Sequence, residues 1–211
     1  MGLFGAMWRQ ALSYALTASL PPLVMLAVLA GPTATILANG ELEHSALVGP
    51  LAACLAVVAA AQLVTGLSDL GNQALYACLE DRVPRRASRV TLAVTVLLAA
   101  AALLVPPGAA RLVWLMAAIL VGELLASAMV LARIRRITRP ERFIDGRALR
   151  ATLLATAAIV PVSAATWWLQ DTYSHDNRLG VLAVLLGGGA LAVAVYGLVL
   201  HRACRPRRPP H

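Results

Sequence analysis

Two carboxylates occur inside long apolar stretches of the sequence. Asp69 stands in GLSDLGNQ with Asn72 and Gln73 close behind it, and Glu123 stands in LVGELLAS. An acidic side chain at the centre of a bilayer costs about 2.5–3.5 kcal/mol on insertion scales, so we expect these groups to face a bundle interior or a wet cavity. They predict either the lining of a substrate or ion path or hydrogen bonds between helices. The sequence leaves both interpretations open.

The composition sets the class of protein in which these acids lie. The chain has 211 residues, of which 60% are hydrophobic and only 13% are charged, which predicts an integral membrane protein. All eighteen cationic residues are arginine, and they stand in short blocks between apolar runs. A nucleic-acid-binding protein instead needs a basic surface on a folded soluble domain. We therefore expect contact with membrane lipids and no nucleic-acid partner.

Apolar stretches long enough to cross a bilayer recur along the chain. About 20 residues of helix span the hydrocarbon layer, and the sequence predicts an all-α fold with about six transmembrane helices, at 11–31, 46–72, 89–106, 111–132, 149–169 and 179–201. The second apolar run continues to Leu79. A helix over 46–79 is about 50 Å long, so it must tilt, bend near Gly66 or Gly71, or project from the membrane.

Arginine marks one side of the predicted membrane. Sixteen of the eighteen arginines fall on the same side of the membrane if the chain crosses it six times, because they lie at the two ends of the chain and in the second and fourth connections. Because arginine concentrates in cytoplasmic segments, both termini are predicted to be cytoplasmic. The stretch ALYACLEDRVPRR, residues 74–86, is then an exit into the cytoplasm in which Pro84 is expected to end the helix.

Motifs of known enzymes are missing from the sequence. There is no GxSxG, HExxH or Walker loop, and Cys54, Cys78 and Cys204 are scattered without metal-ligand spacing. We interpret His44 and His175 as solvated residues of outer loops. No catalytic residue, metal site or cofactor is therefore predicted.

The segment ALYACLEDRVP resembles a segment of the MviN/MurJ-type lipid II flippases, in which a helix ends in an alanine- and tyrosine-containing run followed by an acidic turn, a basic residue and proline. The matching positions are Ala74, Tyr76, Ala77, Arg82 and Pro84. The preceding helix and the basic cluster after the fourth span resemble the same family, and the similarity covers most of residues 10–200. Glu80 replaces the usual aspartate, and Leu79 stands where glycine or a polar residue is common.

The resemblance implies a transporter rather than an enzyme. Such proteins have two six-helix lobes around a central cavity and move a polyprenyl-pyrophosphate-linked sugar between leaflets by alternating access, and two further helices form an apolar groove for the lipid tail. Residues 1–147 are similar to four helices of the second lobe, and residues 148–211 to the two added helices with a basic tail. The implied groove candidates are Ile159, Val160, Leu182 and Leu186. Arg82 resembles an element of the cytoplasmic gate, and it joins Asp69, Asn72, Gln73 and Glu123 as a substrate-path candidate.

The resemblance implies that this chain matches the last six of about fourteen family helices, so the cavity arginines of the family cannot be carried over. It is expected to be a fragment of a longer flippase, to pair with a separate N-terminal half or a second copy, or to be a descendant with a scaffold role in cell-envelope assembly. Exporters of exopolysaccharide or O-antigen precursors share much of the pattern. The expected location is the bacterial plasma membrane.

The predicted orientation can be checked by labelling. Single cysteines at positions 44 and 175, in a background without the native cysteines, are expected to react with a membrane-impermeant thiol reagent added to intact cells. Both positions lie in the predicted outer connections. Modification that occurs only after permeabilisation would contradict the orientation.

Overall fold

The computed structural model describes residues 2–38, 48–138, 143–173 and 178–204. Within these ranges the chain is helical and contains no strand. The elements are α1 (Gly2–Val28), α2 (Ala30–Leu37), α3 (Val48–Ala77), α4 (Arg82–Ala101) with a 3₁₀ turn (Ala102–Leu104), α5 (Ala109–Thr138), α6 (Gly146–Tyr173) and α7 (Arg178–Cys204).

Six of these helices are long and apolar enough to cross a membrane. The predicted all-α membrane fold with six spans is therefore confirmed, whereas the side on which the termini lie stays a prediction. His44 and His175 lie outside the described residues. Two helices start well before the predicted spans: α1 begins at Gly2 where the span was predicted from residue 11, and α4 begins at Arg82 where it was predicted from residue 89. Arginine is a good helix former and its long side chain reaches the membrane surface from the end of a span, so the basic blocks continue the helices.

The turn between α3 and α4 differs from the prediction in the residue that ends the helix. The helix ends before Pro84, in a Schellman turn in which Leu79 has a left-handed backbone with φ of 57°. The Glu80 amide donates to the Leu75 carbonyl at 2.9 Å. The Leu79 amide donates to the Tyr76 carbonyl, also at 2.9 Å. A residue with a Cβ there costs about 1–2 kcal/mol. Pro84 instead lies in the first turn of α4, where a missing N–H leaves no hydrogen bond unmade.

Helix α3 is unbroken through Gly66 and Gly71. Its 30 residues extend about 45 Å, which is longer than the hydrocarbon layer is thick. The helix is not interrupted at either glycine. Gly71 is buried against α5, and a Cβ added there would overlap the Val130 side chain and lie 3.2 Å from Cδ1 of Ile134. Gly71 thus allows the close packing of α3 on α5, as small residues do in membrane bundles.

Two other helix pairs pack through glycine in the same way. In the α4–α5 pair, the Thr91 hydroxyl donates to the Gly122 carbonyl at 3.3 Å, and a Cβ at Gly122 would overlap the Thr95 hydroxyl. In the α6–α7 pair, a Cβ at Gly188 would overlap Thr166. Within the glycine run at 187–189, Gly188 therefore serves helix packing, as small residues within an apolar segment often do, whereas nothing lies within 4 Å of a Cβ added at Gly187.

The buried side chains form two clusters. The first joins α1, α3, α4 and α5 and contains Trp8, Leu12, Leu75, Ala87, Ala126, Val130 and Ile134. The second lies between α6 and α7 and contains Ala155, Ile159, Ala192 and Tyr196. Met25 of α1 packs against the second cluster, so α1 touches both. The predicted division after residue 147 stays a prediction.

Thr17 joins α1 to the last two helices. Pro21 has no N–H, so it cannot bond the Thr17 carbonyl one turn earlier, and the Tyr196 hydroxyl of α7 donates to that carbonyl at 2.7 Å. The Thr17 hydroxyl lies 2.9 Å from the Thr152 hydroxyl of α6. A backbone group that proline leaves unpaired in a membrane helix is thereby satisfied by a neighbouring helix.

The close contact at Gly71 gives a test of the fold. Gly71→Ala is expected to lower the free energy of unfolding by about 1–3 kcal/mol relative to Gly66→Ala, because overpacking forces Val130 to move. Gly66 lies on the same helix with nothing within 4 Å of an added Cβ, so both variants gain the same helix propensity. The measurement is unfolding of the purified protein in detergent. Equal stabilities of the two variants would contradict the packing.

Candidate functional site

An exposed polar stripe runs along α3. The residues Gln62, Gly66, Asp69, Gln73 and Tyr76 are all exposed, and their spacing of four, three, four and three places them on one side of a helix. We call them the α3 polar face. Asp69 and Gln73, predicted from sequence as path residues, lie one turn apart on it. The face combines a carboxylate, two amides, a phenol and a glycine.

Nothing within the described part of the chain neutralises Asp69. The two ion pairs that the structure records there lie at Glu80 and Asp81, near the end of α3. A carboxylate of this kind inside a membrane span normally faces a protein partner or a water-filled cavity. The arrangement can therefore contribute a hydrogen-bond acceptor and two amides to a polar path, but it holds no cation of its own.

Asn72 lies on a different side of α3. It is half-buried, and its Oδ1 is shielded without a hydrogen-bond partner among the described residues. Ser68, one turn earlier, is 5% exposed. Both point towards the packed side of the helix, so the structure separates Asn72 from Asp69 and Gln73. An unpaired buried amide oxygen costs about 1–3 kcal/mol, which makes Asn72 a second polar group that needs a partner.

Glu123 is on α5 and is half-buried. Helices α3 and α5 run in the same direction, because the chain reverses twice between them, and Gly71 meets Val130. Asp69 stands two residues before the first and Glu123 seven before the second, an offset of about 8 Å along the axes. No ion pair or hydrogen bond joins the two carboxylates within the described ranges. Asp69 and Glu123 therefore lie at similar depths in the membrane, on two different helices.

The α3–α4 turn carries ion pairs that the sequence did not reveal. Nε of Arg133 donates to Oε1 of Glu80 at 2.7 Å, and Arg85 pairs with Asp81 at 2.6 Å. Arg82, the residue predicted from the family motif, is exposed at the first position of α4. Because the Glu80–Arg133 pair is partly exposed, its contribution to stability is at most about 1 kcal/mol. It connects the turn to the end of α5.

An apolar cleft of about 450 Å³ lies between α6 and α7. It is lined by Pro161, Val162, Ala165, Thr166, Leu169, Val184, Gly187, Gly188 and Leu191. Gly187 and Gly188 leave room on the α7 side of the cleft because they have no side chains. Pro161, on the other side, lies within α6. A cleft of this size and polarity suits an alkyl or isoprenoid chain.

The four predicted groove residues flank the cleft without lining it. Ile159 is fully buried in the cluster between the two helices. Val160, Leu182 and Leu186 are exposed, by 42%, 45% and 66%. Val160 and Leu186 each precede a lining residue in the chain. That these four residues form a groove for a lipid tail stays a prediction.

The described residues contain no group of three or more His, Cys, Asp or Glu side chains that could hold a metal ion. Cys54 and Cys78 are free thiols.

The chain was also compared with known proteins. No protein-family model matches it, and no curated protein matches it either. The resemblance to MviN/MurJ-type flippases therefore stays a prediction that stands on residues 74–86 and the segments around them.

Proposed function

We propose that the chain belongs to a membrane transporter that moves a polyprenyl-pyrophosphate-linked cell-wall precursor, such as lipid II, from the inner to the outer leaflet. It would do so in the bacterial plasma membrane during peptidoglycan synthesis, and so contribute to cell-wall biogenesis and cell shape. The observation that carries the proposal is the α3 polar face, which stands exposed within a membrane-spanning helix. The motif resemblance around Arg82 supports the same class.

Physical cost argues that lipid does not cover this face. Asp69 alone costs about 2.5–3.5 kcal/mol in the bilayer centre, and lipid would leave the amides of the two glutamine side chains without hydrogen-bond partners. A water-filled path between this face and a second unit removes both costs. In this proposal that second unit is a separate N-terminal half, the missing part of a longer chain, or another copy of this chain.

The α6–α7 cleft supports a substrate with a long apolar tail. A polyprenyl chain cannot enter a polar cavity without losing its hydrophobic stabilisation, so a transporter of such a lipid needs an apolar slot beside the polar path. The cleft between α6 and α7 is such a slot, and the α3 polar face can offer hydrogen bonds to the sugar groups as they pass the hydrocarbon layer. In this proposal the cations that the pyrophosphate needs come from the second unit. No covalent step on the substrate is part of the proposal.

Two related proposals remain open. Lipid-linked precursors of exopolysaccharide or O-antigen share the polyprenyl tail and the phosphate group, so the cleft and the α3 polar face serve them equally well. A non-transporting scaffold of cell-envelope assembly is the candidate from another class, because an exposed polar helix face also suits a permanent partner helix.

Substitution of the intramembrane acids distinguishes transport from a scaffold role. In a strain that lacks this gene, Asp69→Ala or Glu123→Ala is expected to lower export of the lipid-linked precursor by about tenfold or more at unchanged protein level, since 1.4 kcal/mol in a transport barrier is a factor of ten. Export is measured as precursor accessible at the outer leaflet.

The matched control is Val58→Ala, which changes an exposed apolar residue of the same helix and is expected to leave export intact. Wild-type export from both acid variants would contradict the transport path. A scaffold predicts that result, together with loss of partner pull-down when exposed apolar surface is changed.

A further inference from the structure

A second cavity, of about 410 Å³, lies between α1, α6 and α7, away from the α3 polar face. One side of α1 supplies most of its polar lining, through Arg9, Gln10, Ser13, Tyr14 and Thr17. The start of α6 supplies Asp145, Ala148 and Thr152, and Ala6 and Leu200 complete the wall. We call it the α1–α6–α7 cavity.

The cavity runs from a charged mouth to a hydroxyl floor. Arg9 and Thr17 are eight residues apart on one helix, which is about 12 Å of depth. The floor is formed where the hydroxyls of Thr17 and Thr152 meet at 2.9 Å, and Leu200 lines the cavity on the α7 side. A cavity that is charged at the mouth and partly apolar along its wall fits an amphipathic molecule whose head lies at the membrane surface.

Charges of both signs line the mouth. Arg9 contributes a guanidinium group and Asp145 a carboxylate. The carboxylate is held in place, because Oδ1 of Asp145 accepts a hydrogen bond from the Arg147 amide at 2.9 Å and thereby caps α6. Arg147 and Arg150 line a neighbouring cavity that also includes Asp145, and neither lines the α1–α6–α7 cavity.

We propose that the α1–α6–α7 cavity binds a zwitterionic phospholipid with a primary ammonium group, of the phosphatidylethanolamine type. Its phosphate lies at Arg9, because guanidinium groups bind phosphate oxygens through charge-assisted hydrogen bonds. Its ammonium group donates to Oδ2 of Asp145, since Oδ1 accepts the Arg147 amide. The glycerol esters reach towards Ser13 and Thr17, and an acyl chain leaves past Leu200.

The carboxylate decides between lipid classes. Phosphatidylglycerol carries the same phosphate but a neutral glycerol in place of the ammonium group, so no cation offsets the repulsion between that phosphate and the Asp145 carboxylate. A choline headgroup keeps its positive charge but has no N–H to donate to Asp145. The proposal does not depend on transport, and it applies equally if the chain is a scaffold.

The test uses the full chain purified in detergent and titrated with phosphatidylethanolamine, phosphatidylcholine or phosphatidylglycerol, with bound lipid counted by native mass spectrometry. Phosphatidylethanolamine is expected to bind about tenfold more tightly than the other two, which corresponds to one good charge-assisted hydrogen-bonded pair. Soluble phosphoethanolamine is expected not to compete at equal concentration, because it lacks the acyl chains that contact the apolar wall.

Two variants and a control assign the preference to this cavity. Asp145→Asn keeps a residue that caps helices well and is expected to abolish the preference for phosphatidylethanolamine while binding of phosphatidylglycerol rises. Arg9→Gln is expected to weaken all three lipids. Arg147→Gln, outside this cavity, is expected to keep the preference.

Equal binding of the three lipids by the unmodified chain would overturn the proposal, whatever the variants do. A preference that survives Asp145→Asn would overturn it as well. Competition by soluble phosphoethanolamine as strong as that by the lipid would show a site for a free zwitterion and would overturn the assignment to phospholipid.

Discussion

The interior of a bilayer offers no hydrogen-bond partner to a peptide group, and this constraint shapes every described part of the chain. Each N–H and C=O within the hydrocarbon layer must be satisfied by the protein itself, which leaves helices as the form of the six spans. The exceptions follow the same rule. Pro21 removes the hydrogen bond that would satisfy the Thr17 carbonyl, and Tyr196 supplies its hydroxyl in place of the missing amide.

The same constraint gives meaning to the polar side chains. Lipid cannot solvate Asp69 or Gln73, so their exposure on α3 points to a second unit or to water beside this helix. The α6–α7 cleft has the opposite character, because almost all of its lining is apolar. A polar path and an apolar slot on one six-helix unit are what a carrier of a polar head with a long hydrocarbon tail requires, and this pairing is the physical content of the proposed function.

Hydropathy and charge carried the prediction of the fold because both are properties of segments. The number of spans could be predicted from apolar length alone. The α3–α4 turn could not, because helix ends depend on backbone geometry. The proline at 84 suggested a stop at that residue, whereas the chain reverses through the left-handed backbone of Leu79. Leucine is a poor residue for such a position, so nothing in the sequence marked it.

The candidate site was predictable only in part. The spacing of Asp69 and Gln73 places them on one side of a helix, and the structure shows that side exposed. Asn72 is next to Gln73 in the chain but points towards the packed side of α3. Because no local pattern in the sequence shows which side of α3 is packed, the two residues were predicted together. The contacts that fix the cavities join residues far apart in the chain, as in Thr17 with Thr152, Tyr196 with Thr17 and Arg133 with Glu80. Such pairs have no local signal.

The central claim is that the α3 polar face does not meet lipid, and site-directed spin labelling measures this directly. Labels placed singly at Gln62, Gly66 and Gln73 in bilayers are compared with labels at Leu97 and Val193, which are exposed apolar positions of α4 and α7. The account predicts that collisions with apolar oxygen are frequent at the two reference positions and rare on the α3 polar face, where a water-soluble nickel complex has access or the label is immobilised. Oxygen collision rates on that face equal to those at Leu97 and Val193, without access for nickel, would contradict it.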